Sequence, residues 1–541
     1  MRKALAFALA AGVATSLLAA CTDDDASPGQ PVGPPEAGTL RVLAGSELAD
    51  MQPVLEEAAK ATGVSVKFSF TGTLEGAESL ASGAVDGAYD AVWFSSNRYP
   101  AAIPEAAKRL GNQVKIMASP VVLGLSTSTA KRLGFADRPV GWAEIAEKAG
   151  QKAFTYGMTD PSASNSGFSA LVGVASALAG AGNAVDANQV AAVTPKLTEF
   201  FSAQALSSGS SGWLSDAYRK RAQDPGTRID GLINYESVLL SLNAAGGLPE
   251  PLTIVHPSDG VVTADYPLTL LTGANDDARG AHQRLTDHLR TPDVQRRIAE
   301  TTHRRPVVPG VELGAQFTAK DLVELPFPAT RDAVDALLSA YFNKIRRPSR
   351  TLYVVDTSGS MAGDRIEALR TALVGLTGAD PSLTGRFRGF RNREEVTIMP
   401  FNTTPQQPRT FVVPEQDPQV VLAEVKSFAE GLEAAGGTAI YDSLGRAYEV
   451  LEPLQAKDPD RFHSIVLMTD GENANGSNFA QFERDFTGVP ARVRQVPVFT
   501  VLFGEGSSDE LTKVADMTGG KVFDARATQL TDVFKEIRGY Q

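Results

Sequence analysis

Short apolar runs alternate with helix-like stretches through the last third of the chain. Residues 352–355 (LYVV) and 465–468 (IVLM) are fully apolar, which is typical of parallel strands buried on both faces. Apolar positions at helical spacing predict a helix over 441–454. The same patterns predict further helices over 365–376 and 420–432, strands over 396–401 and 498–503, and two terminal helices. This alternation is typical of a doubly wound α/β domain.

Oxygen-bearing side chains follow both apolar runs. Residues 356–360 (DTSGS) follow the first run, residues 469–471 (TDG) follow the second, and residues 436–438 (GGT) precede the helix over 441–454. Ligands of open α/β sheets lie beyond the carboxyl ends of the strands, and hard cations such as Mg²⁺ prefer hydroxyl and carboxylate oxygens. The pattern therefore predicts a divalent-cation site. The alternative is an ordinary turn, because Asp, Ser and Gly favour turns for local reasons.

The segment from about Arg350 to Gln541 resembles a von Willebrand factor type A domain with a metal-ion-dependent adhesion site. The DxSxS triplet, the distant Thr and the distant Asp all match. The resemblance implies that the serine pair and the threonine ligate the metal, that the aspartates bind it directly or through water, and that a carboxylate of a protein partner takes the last position. The implied residues are Asp356, Ser358, Ser360, Thr438 and Asp470. Ligand hardness favours Mg²⁺, with Mn²⁺ and Ca²⁺ as alternatives.

Residues 39–345 also alternate short strands with helices, and small hydroxyl residues follow several strands. This segment resembles the two-lobed solute-binding proteins of ABC transporters, in the class that binds molybdate, sulfate and phosphate. The order of the pieces carries the resemblance: residues 44–46 (AGS), 70–73 (FTGT), 90–94 (DAVWF), 160–167 (DPSASNSG), 233–236 (INYE) and 304–306 (RRP).

The resemblance implies a ligand cleft between two lobes that close by hinge motion. Each hydroxyl or amide in it has the alternative role of a helix N-cap. Asp90 and Glu236 would repel a dianion if they faced the cleft, so the ligand stays open, and the cleft could instead serve as a scaffold for a protein. The candidate contacts are Ser46, Thr71, Thr73, Ser164, Asn165, Ser166, Tyr235 and Glu236.

Two connecting segments bear on how the parts are arranged. Residues 207–212, rich in Gly and Ser beside Trp213, are predicted to be a flexible loop that lines a site. Residues 346–350 form a short linker between the solute-binding-like segment 39–345 and the type A domain 351–541. So short a linker leaves little freedom, and lobe closure could therefore reorient the metal site relative to the membrane.

The N-terminus has the layout of a bacterial lipoprotein leader. Arg2 and Lys3 precede an apolar run over 4–20, which ends at Cys21, the one cysteine of the chain. Residues 18–21 (LAAC) resemble a lipobox, which implies that Cys21 carries the lipid. The Asp, Pro and Gly residues of 22–38 predict a flexible linker. A plain secretory signal and a free buried thiol are the alternatives. No other run is long enough to span a membrane.

Net charge and the absence of common catalytic motifs argue for a binding protein. The 541 residues carry a net charge of −12, which argues against a nucleic-acid-binding protein. No HExxH, GxSxG or Walker pattern is present, so we expect binding and no enzyme activity. Two functions fit: a lipid-anchored protein whose metal site captures an acidic side chain of a protein partner, or the solute receptor of an ABC permease that uses the type A domain for docking.

Overall fold

The computed structural model describes residues 36–541 except 181–183, 225, 505–507 and 527–528. The leader 1–21 with Cys21, most of the segment 22–38 and the side chain of Thr73 lie outside the described residues.

Strands form three separate sheets. In chain order they are β1 (Thr39–Ala44), β2 (Ser65–Phe70), β3 (Ala91–Trp93), β4 (Leu110–Lys115), β5 (Ser119–Ser126), β6 (Tyr156–Thr159), β7 (Gln204–Ser208), β8 (Gly231–Tyr235), β9 (Leu252–Val255), β10 (Thr263–Ala264), β11 (Pro267–Leu271), β12 (Ser349–Asp356), β13 (Glu395–Phe401), β14 (Arg409–Val412), β15 (Phe462–Thr469), β16 (Val498–Leu502) and β17 (Val522–Asp524).

Helices cover these sheets. In chain order they are α1 (Gln52–Thr62), α2 (Thr73–Ser82), α3 (Arg98–Ala101), α4 (Pro104–Ala107), α5 (Thr127–Leu133), α6 (Trp142–Gly150), α7 (Asn165–Ala179), α8 (Ala187–Phe201), α9 (Ser211–Gln223), α10 (Glu236–Ala245), α11 (Asp276–Leu289), α12 (Pro292–Thr302), α13 (Arg331–Ala340), α14 (Asp364–Val374), α15 (Leu383–Arg388), α16 (Gln419–Glu430), α17 (Ile440–Lys457), α18 (Phe479–Gly488), α19 (Ala491–Arg494), α20 (Ser508–Thr518) and α21 (Leu530–Ile537).

The first two sheets belong to two lobes. The first lobe has the strand order β2-β1-β3-β11-β4, with β1, β2 and β3 parallel and β11 antiparallel to its neighbours. The second lobe has the order β10-β5-β8-β6-β7, with β9 against β5. The chain passes to the second lobe between β4 and β5 and returns between β10 and β11. The predicted two-lobed α/β module is therefore confirmed.

The third sheet has the order β14-β13-β12-β15-β16-β17, in which every strand except the edge strand β14 is parallel. Side chains of β12 alternate between two apolar clusters: Tyr353 packs in the cluster that holds Leu369 of α14, and Leu352 packs in the one that holds Leu444 of α17. Both faces are covered, which explains why the strand has no polar alternation. The predicted Rossmann-like domain is confirmed.

The prediction of a flexible loop over 207–212 was wrong. Ser207 and Ser208 end strand β7, and Ser211 begins α9. The hydroxyl of Ser210 accepts a hydrogen bond from Trp213 N at 3.3 Å, which caps the helix. The Ser and Gly residues here form a tight strand-to-helix turn, and composition alone does not distinguish such a turn from a loose loop.

A buried charge cluster ties the start of β12 to the end of the chain. Glu394 lies between Arg346, which donates to its Oε1, and Arg538, whose Nη2 is 2.6 Å from its Oε2. Arg346 also donates to the backbone oxygen of Gln541 at 3.1 Å. Burial raises the pKa of Glu394, but Arg538 and Arg346 outweigh it and hold the pKa below its usual value. The carboxylate is therefore ionised in the fold.

We expect Glu394→Ala to destabilise the protein by about 3–5 kcal/mol, because two buried guanidinium groups lose their partner. Urea unfolding at pH 7 measures this. Since the pKa of Glu394 is lowered by folding, its contribution is present above the usual glutamate pKa and is lost as the pH falls. The control is Glu424→Ala, which removes an exposed pair with Arg409 at 3.8 Å and should cost less than about 1 kcal/mol. Equal losses would contradict the assignment.

Candidate metal site and solute cleft

The candidate metal site lies at the carboxyl ends of β12 and β15. These strands pair in parallel with Val355 opposite Met468, so the next residues, Asp356 and Thr469, leave the sheet side by side. The hydroxyl of Thr469 donates to Asp356 Oδ2 at 2.6 Å. The register of the two strands therefore fixes where the first carboxylate points.

A chain of hydrogen bonds joins four of the five predicted metal residues. The backbone N–H of Ser358 donates to Asp356 Oδ1 at 2.8 Å. The hydroxyl oxygens of Ser358 and Ser360 are 3.0 Å apart, and Ser360 donates to Asp470 Oδ1 at 2.9 Å. Two carboxylates and two hydroxyls thus converge within a single hydrogen-bonded network.

The loop that carries Thr438 is held against this network by backbone contacts. Gly359 N donates to Gly436 O at 2.9 Å, and Thr438 N donates to Asn475 Oδ1 at 3.0 Å. A Cβ on Gly437 would lie 1.9 Å from the same Asn475 oxygen, so a larger residue there would displace the amide that accepts from Thr438 N. Thr438 has no direct hydrogen bond to the other four residues in the described contacts, but its loop adjoins theirs.

The two aspartates differ in their charge environment. Asp356 is fully buried, and no Lys, Arg or His among the described residues lies within ion-pair distance of it. Burial raises the pKa of Asp356, Thr469 and Ser358 lower it by hydrogen bonding, and Asp470 raises it again; the net pKa lies above its usual value. A buried carboxylate without a cation is costly, and a divalent metal at this point would remove that cost. The residues therefore fit a metal.

Asp470, unlike Asp356, is paired with a cation, the guanidinium group of Arg365. Its Nη1 lies 2.6 Å from Asp470 Oδ2, and its side chain is 38% exposed whereas that of Asp470 is fully buried. Sequence reasoning missed this residue, because an arginine in the first turn of α14 carries no motif. It also missed Asn475 and Asn473, whose side-chain oxygens accept from Thr438 N and Ile440 N. The available signal in the sequence was that Asn473 and Asn475 follow β15 two residues apart, where their side chains can bond to a neighbouring loop.

Only two carboxylates contribute to the site. A group of three or more His, Cys, Asp or Glu side chains arranged for metal binding does not occur among residues 36–541 outside the gaps given above. The remaining ligands would therefore be hydroxyl oxygens and water, which suits a hard cation more than a transition metal.

Several of the predicted solute contacts lie where the two lobes meet. Ser46 is exposed at the start of a 3-10 turn after β1, and Thr71 donates to Glu75 Oε2 at 3.4 Å. Thr73 begins α2. Asn165, at the start of α7, donates across the cleft to the hydroxyl of Ser95 in the first lobe.

Other predicted contacts are already engaged inside the second lobe. Ser164 is the N-cap residue of α7, and its hydroxyl lies 3.2 Å from that of Ser166. Ser166 is fully buried and is bonded to Thr159 at 2.8 Å and to Ser211 at 3.0 Å. Tyr235 is buried at the end of β8, and burial raises its pKa well above the usual value. Ser166 therefore serves packing within the lobe.

The two acidic residues that argued against an anionic ligand are both neutralised. Asp90 is paired with Arg41, whose Nη2 lies 2.8 Å from its Oδ1. Glu236 receives Arg305 Nε at 2.6 Å and His256 Nε2 at 2.7 Å. Because each carboxylate is paired with a buried arginine, neither presents an uncompensated negative charge that would repel a dianion. The expectation of repulsion does not hold.

A third carboxylate, Glu47, was missed by sequence reasoning. It follows Ser46 in the 3-10 turn after β1, and its Oε1 is buried without a hydrogen-bond partner among the described residues. Burial raises the pKa of Glu47, against the opposing effects of its own backbone N–H, Arg304 and Ser95. The pKa of Tyr235 in the second lobe is raised by burial and, to a smaller extent, by the charge of Glu47.

Comparisons with known proteins agree with this architecture. Residues 40–301 match the family model of bacterial extracellular solute-binding proteins, and residues 351–472 match the model of the von Willebrand factor type A domain. Inter-alpha-trypsin inhibitor heavy chain H4 of Homo sapiens is 31% identical over 132 residues. That match covers 24% of this chain and only 13% of the relative's length.

Solved structures similar to each part are known. The periplasmic binding protein AfuA from Actinobacillus pleuropneumoniae, with fructose-6-phosphate bound, aligns with a TM-score of 0.43 and 13% identity over 57% of this chain and 99% of its own. A von Willebrand factor type A protein from Catenulispora acidiphila aligns with a TM-score of 0.29 and 19% identity over 36% and 42%.

No helix in the described part of the chain is both long enough and apolar enough to cross a membrane. The two family matches fall on the two structural parts, the first on the paired lobes and the second on the doubly wound sheet with its polar loops. The chain therefore combines a bacterial extracellular solute-binding domain with a C-terminal von Willebrand factor type A domain.

Proposed function

We propose that this protein is an extracytoplasmic binding protein that recognises a protein partner through a divalent metal in its type A domain. The observation that carries the proposal is the buried Asp356 carboxylate, which has no cation beside it and is joined through hydroxyls to a second carboxylate. The residues that would hold the metal are Asp356, Ser358, Ser360, Thr438 and Asp470.

A metal bound here would supply a coordination position for a carboxylate of the partner. The protein's own residues prepare that position. Thr469 holds Asp356 in place, and the contact between the loops of Gly359 and Gly436 fixes the distance between the serine pair and Thr438. Mg²⁺ suits this oxygen set best, with Mn²⁺ and Ca²⁺ as alternatives. The protein then acts through binding, without catalysis.

The two-lobed domain would bind a solute or a second partner in its cleft. One polar atom in each lobe supports this role: Glu47 Oε1, in the turn after β1, and Asn234 Nδ2, near the end of β8, are buried without hydrogen-bond partners among the described residues. The second candidate function is accordingly that of a solute receptor for an ABC permease, with the type A domain as a docking module. In either case we propose that Cys21 carries a lipid that anchors the protein outside the cytoplasmic membrane.

The first test of this proposal removes two of the side chains that would bind the metal. Asp356→Ala and Ser358→Ala should each weaken Mg²⁺ binding at least about tenfold, because each removes an oxygen that the metal would use. Isothermal titration with Mg²⁺ and Mn²⁺ measures this, and circular dichroism checks the fold. The control is Asp485→Ala, which removes an exposed carboxylate on α18. Unchanged affinity in both site variants would overturn the assignment.

The second prediction concerns Arg365. Its guanidinium is bonded to Asp470 Oδ2. A metal that binds Asp470 must therefore displace the guanidinium or bind beside a positive charge. Arg365→Gln should therefore raise Mg²⁺ affinity about fivefold, as expected for removal of a partly exposed like charge. Arg446→Gln, which breaks an exposed pair with Glu449 on α17, is the matched control and should leave affinity unchanged. A weaker site in the Arg365 variant would mean that the arginine supports the metal.

The third prediction separates the two functions. If partner recognition is metal-dependent, the purified protein should retain a membrane or surface protein in Mg²⁺ and release it in EDTA, and Asp356→Ala should abolish retention while Asp485→Ala should not. If the protein is a solute receptor, a thermal-shift panel of oxyanions, sugars, amino acids and peptides should give a shift that persists in Asp356→Ala. A ligand at 100 times its Kd stabilises by about 2.7 kcal/mol, which such a panel detects.

A further inference from the structure

The type A domain and its linker contact the second lobe at several points. Arg347 Nη1 donates to Gln204 O at 3.0 Å, and Ser207 Oγ donates to Gly539 O at 3.3 Å. The ring of Tyr540 meets Trp213 edge to face, with centroids 5.0 Å apart. Salt bridges at the rim add to these contacts: Lys152 with Asp460 and Lys220 with Asp516. These contacts make the second lobe and the type A domain one unit.

The type A domain also reaches the first lobe, through α15. The carboxylate of Glu78 on α2 accepts from Leu383 N at 3.1 Å, from Thr384 N at 3.3 Å and from the Thr384 hydroxyl at 2.8 Å. One helical turn later, Arg388 donates to Glu75 on the same helix. Two carboxylates of α2 are thus held by one short helix of the type A domain.

Arg388 lies where the two lobes touch each other. Its Nη2 donates to Ser162 O of the second lobe at 3.4 Å, and its side chain is only 3% exposed. Beside it, a Cβ on Gly72 of the first lobe would lie 2.3 Å from Ala163 O of the second lobe, so the backbones are in direct contact. The cleft is closed at this edge, next to the starts of α2 and α7, and α15 covers the seam.

Opening the cleft would separate α2 from α15. The first lobe cannot swing away from the second while Glu75 and Glu78 stay bonded to a domain that is fixed to the second lobe. Separation would leave the buried charge of Arg388 and the partly buried charge of Glu75 without partners, and the penalty is larger for Arg388. Closure of the cleft and contact of the type A domain with the first lobe therefore depend on the same bonds between α15 and α2.

We propose that α15 is a latch by which the type A domain holds the two lobes closed, so that solute entry and release require α15 to leave α2. By linkage, a solute that prefers closed lobes must strengthen the docking of the type A domain, and loosening the latch must lower solute affinity through the smaller closed fraction. This coupling depends neither on an occupied metal site nor on the identity of the solute.

The test measures the distance between the lobes by pulsed electron spin resonance. Cys21→Ser removes the native cysteine of the full chain, and Lys60→Cys and Lys196→Cys place one spin label on an exposed position of each lobe. The parent should give one short distance. The latch variant Glu75→Gln with Glu78→Gln should raise the population of a longer distance about tenfold or more, since it removes charge-assisted hydrogen bonds.

Two control variants and one milder variant make the result decisive. Glu57→Gln breaks an exposed pair with Arg297 within the first lobe, and Lys152→Gln breaks an exposed pair between the type A domain and the second lobe; neither should change the distance. Glu78→Gln alone should give an intermediate open population if the double variant folds poorly. Identical distance distributions in parent and folded latch variants would refute the latch. Repeating the series in EDTA keeps this outcome separate from failure of the metal site.

Discussion

The parallel pairing of β12 with β15 is the constraint on which the candidate metal site depends. Its register sets Asp356 beside Thr469 at the carboxyl edge of the sheet, and the hydrogen bond between them fixes the carboxylate before any metal arrives. Every loop of the site then attaches to this point: the serine loop bonds to Asp356 and Asp470, and the Thr438 loop bonds to the serine loop. A strand slipped by two residues would separate these groups by more than 6 Å, since each residue advances a strand by about 3.3 Å.

Buried carboxylates elsewhere in the molecule are almost all paired with arginine. Asp90, Glu236 and Glu394 each meet a guanidinium, and the partly buried Glu75 meets that of Arg388. Together these pairs brace the first lobe, the hinge side of the cleft, the start of β12 and the domain contact. Asp356 differs because no cation lies beside it. The half-buried Glu47 also has no ion pair among the described residues, and its Oε1 has no hydrogen-bond partner there. A buried carboxylate oxygen without a cation or a hydrogen-bond partner is a candidate position for a ligand, and these two residues supply one such position in the type A domain and one in the first lobe.

The two domains are held together by side-chain and backbone contacts as well as by the short linker. Residues 346–350 limit how far the parts can separate, but Arg346 and Arg347 also bind the body of the protein on both sides, through Glu394 and Gln204 O. The C-terminal residues fold back against the second lobe, and α15 reaches α2 in the first. A two-lobed binding domain that is free to open would normally expose its cleft rim to solvent; here a second domain covers part of that rim. The two-lobed domain and the type A domain are thereby in direct contact.

Local pattern in the sequence predicted the strands and the main helices, because buried parallel strands are continuously apolar. It also predicted the five candidate metal residues, because three separate stretches of the type A segment carry short hydroxyl and carboxylate side chains next to its strands and helices. The two-lobed fold came from the resemblance to solute-binding proteins, which the order of six short stretches carries. Local pattern did not reveal Arg365, Glu47, the tight turn at 207–212 or α15, since none of these has a local signature. Whether Asp90 and Glu236 face a ligand or an arginine, and whether α15 touches the first lobe, depends on residues tens to hundreds of positions away. Charge compensation and domain contact are long-range properties, and only the tertiary structure decides them.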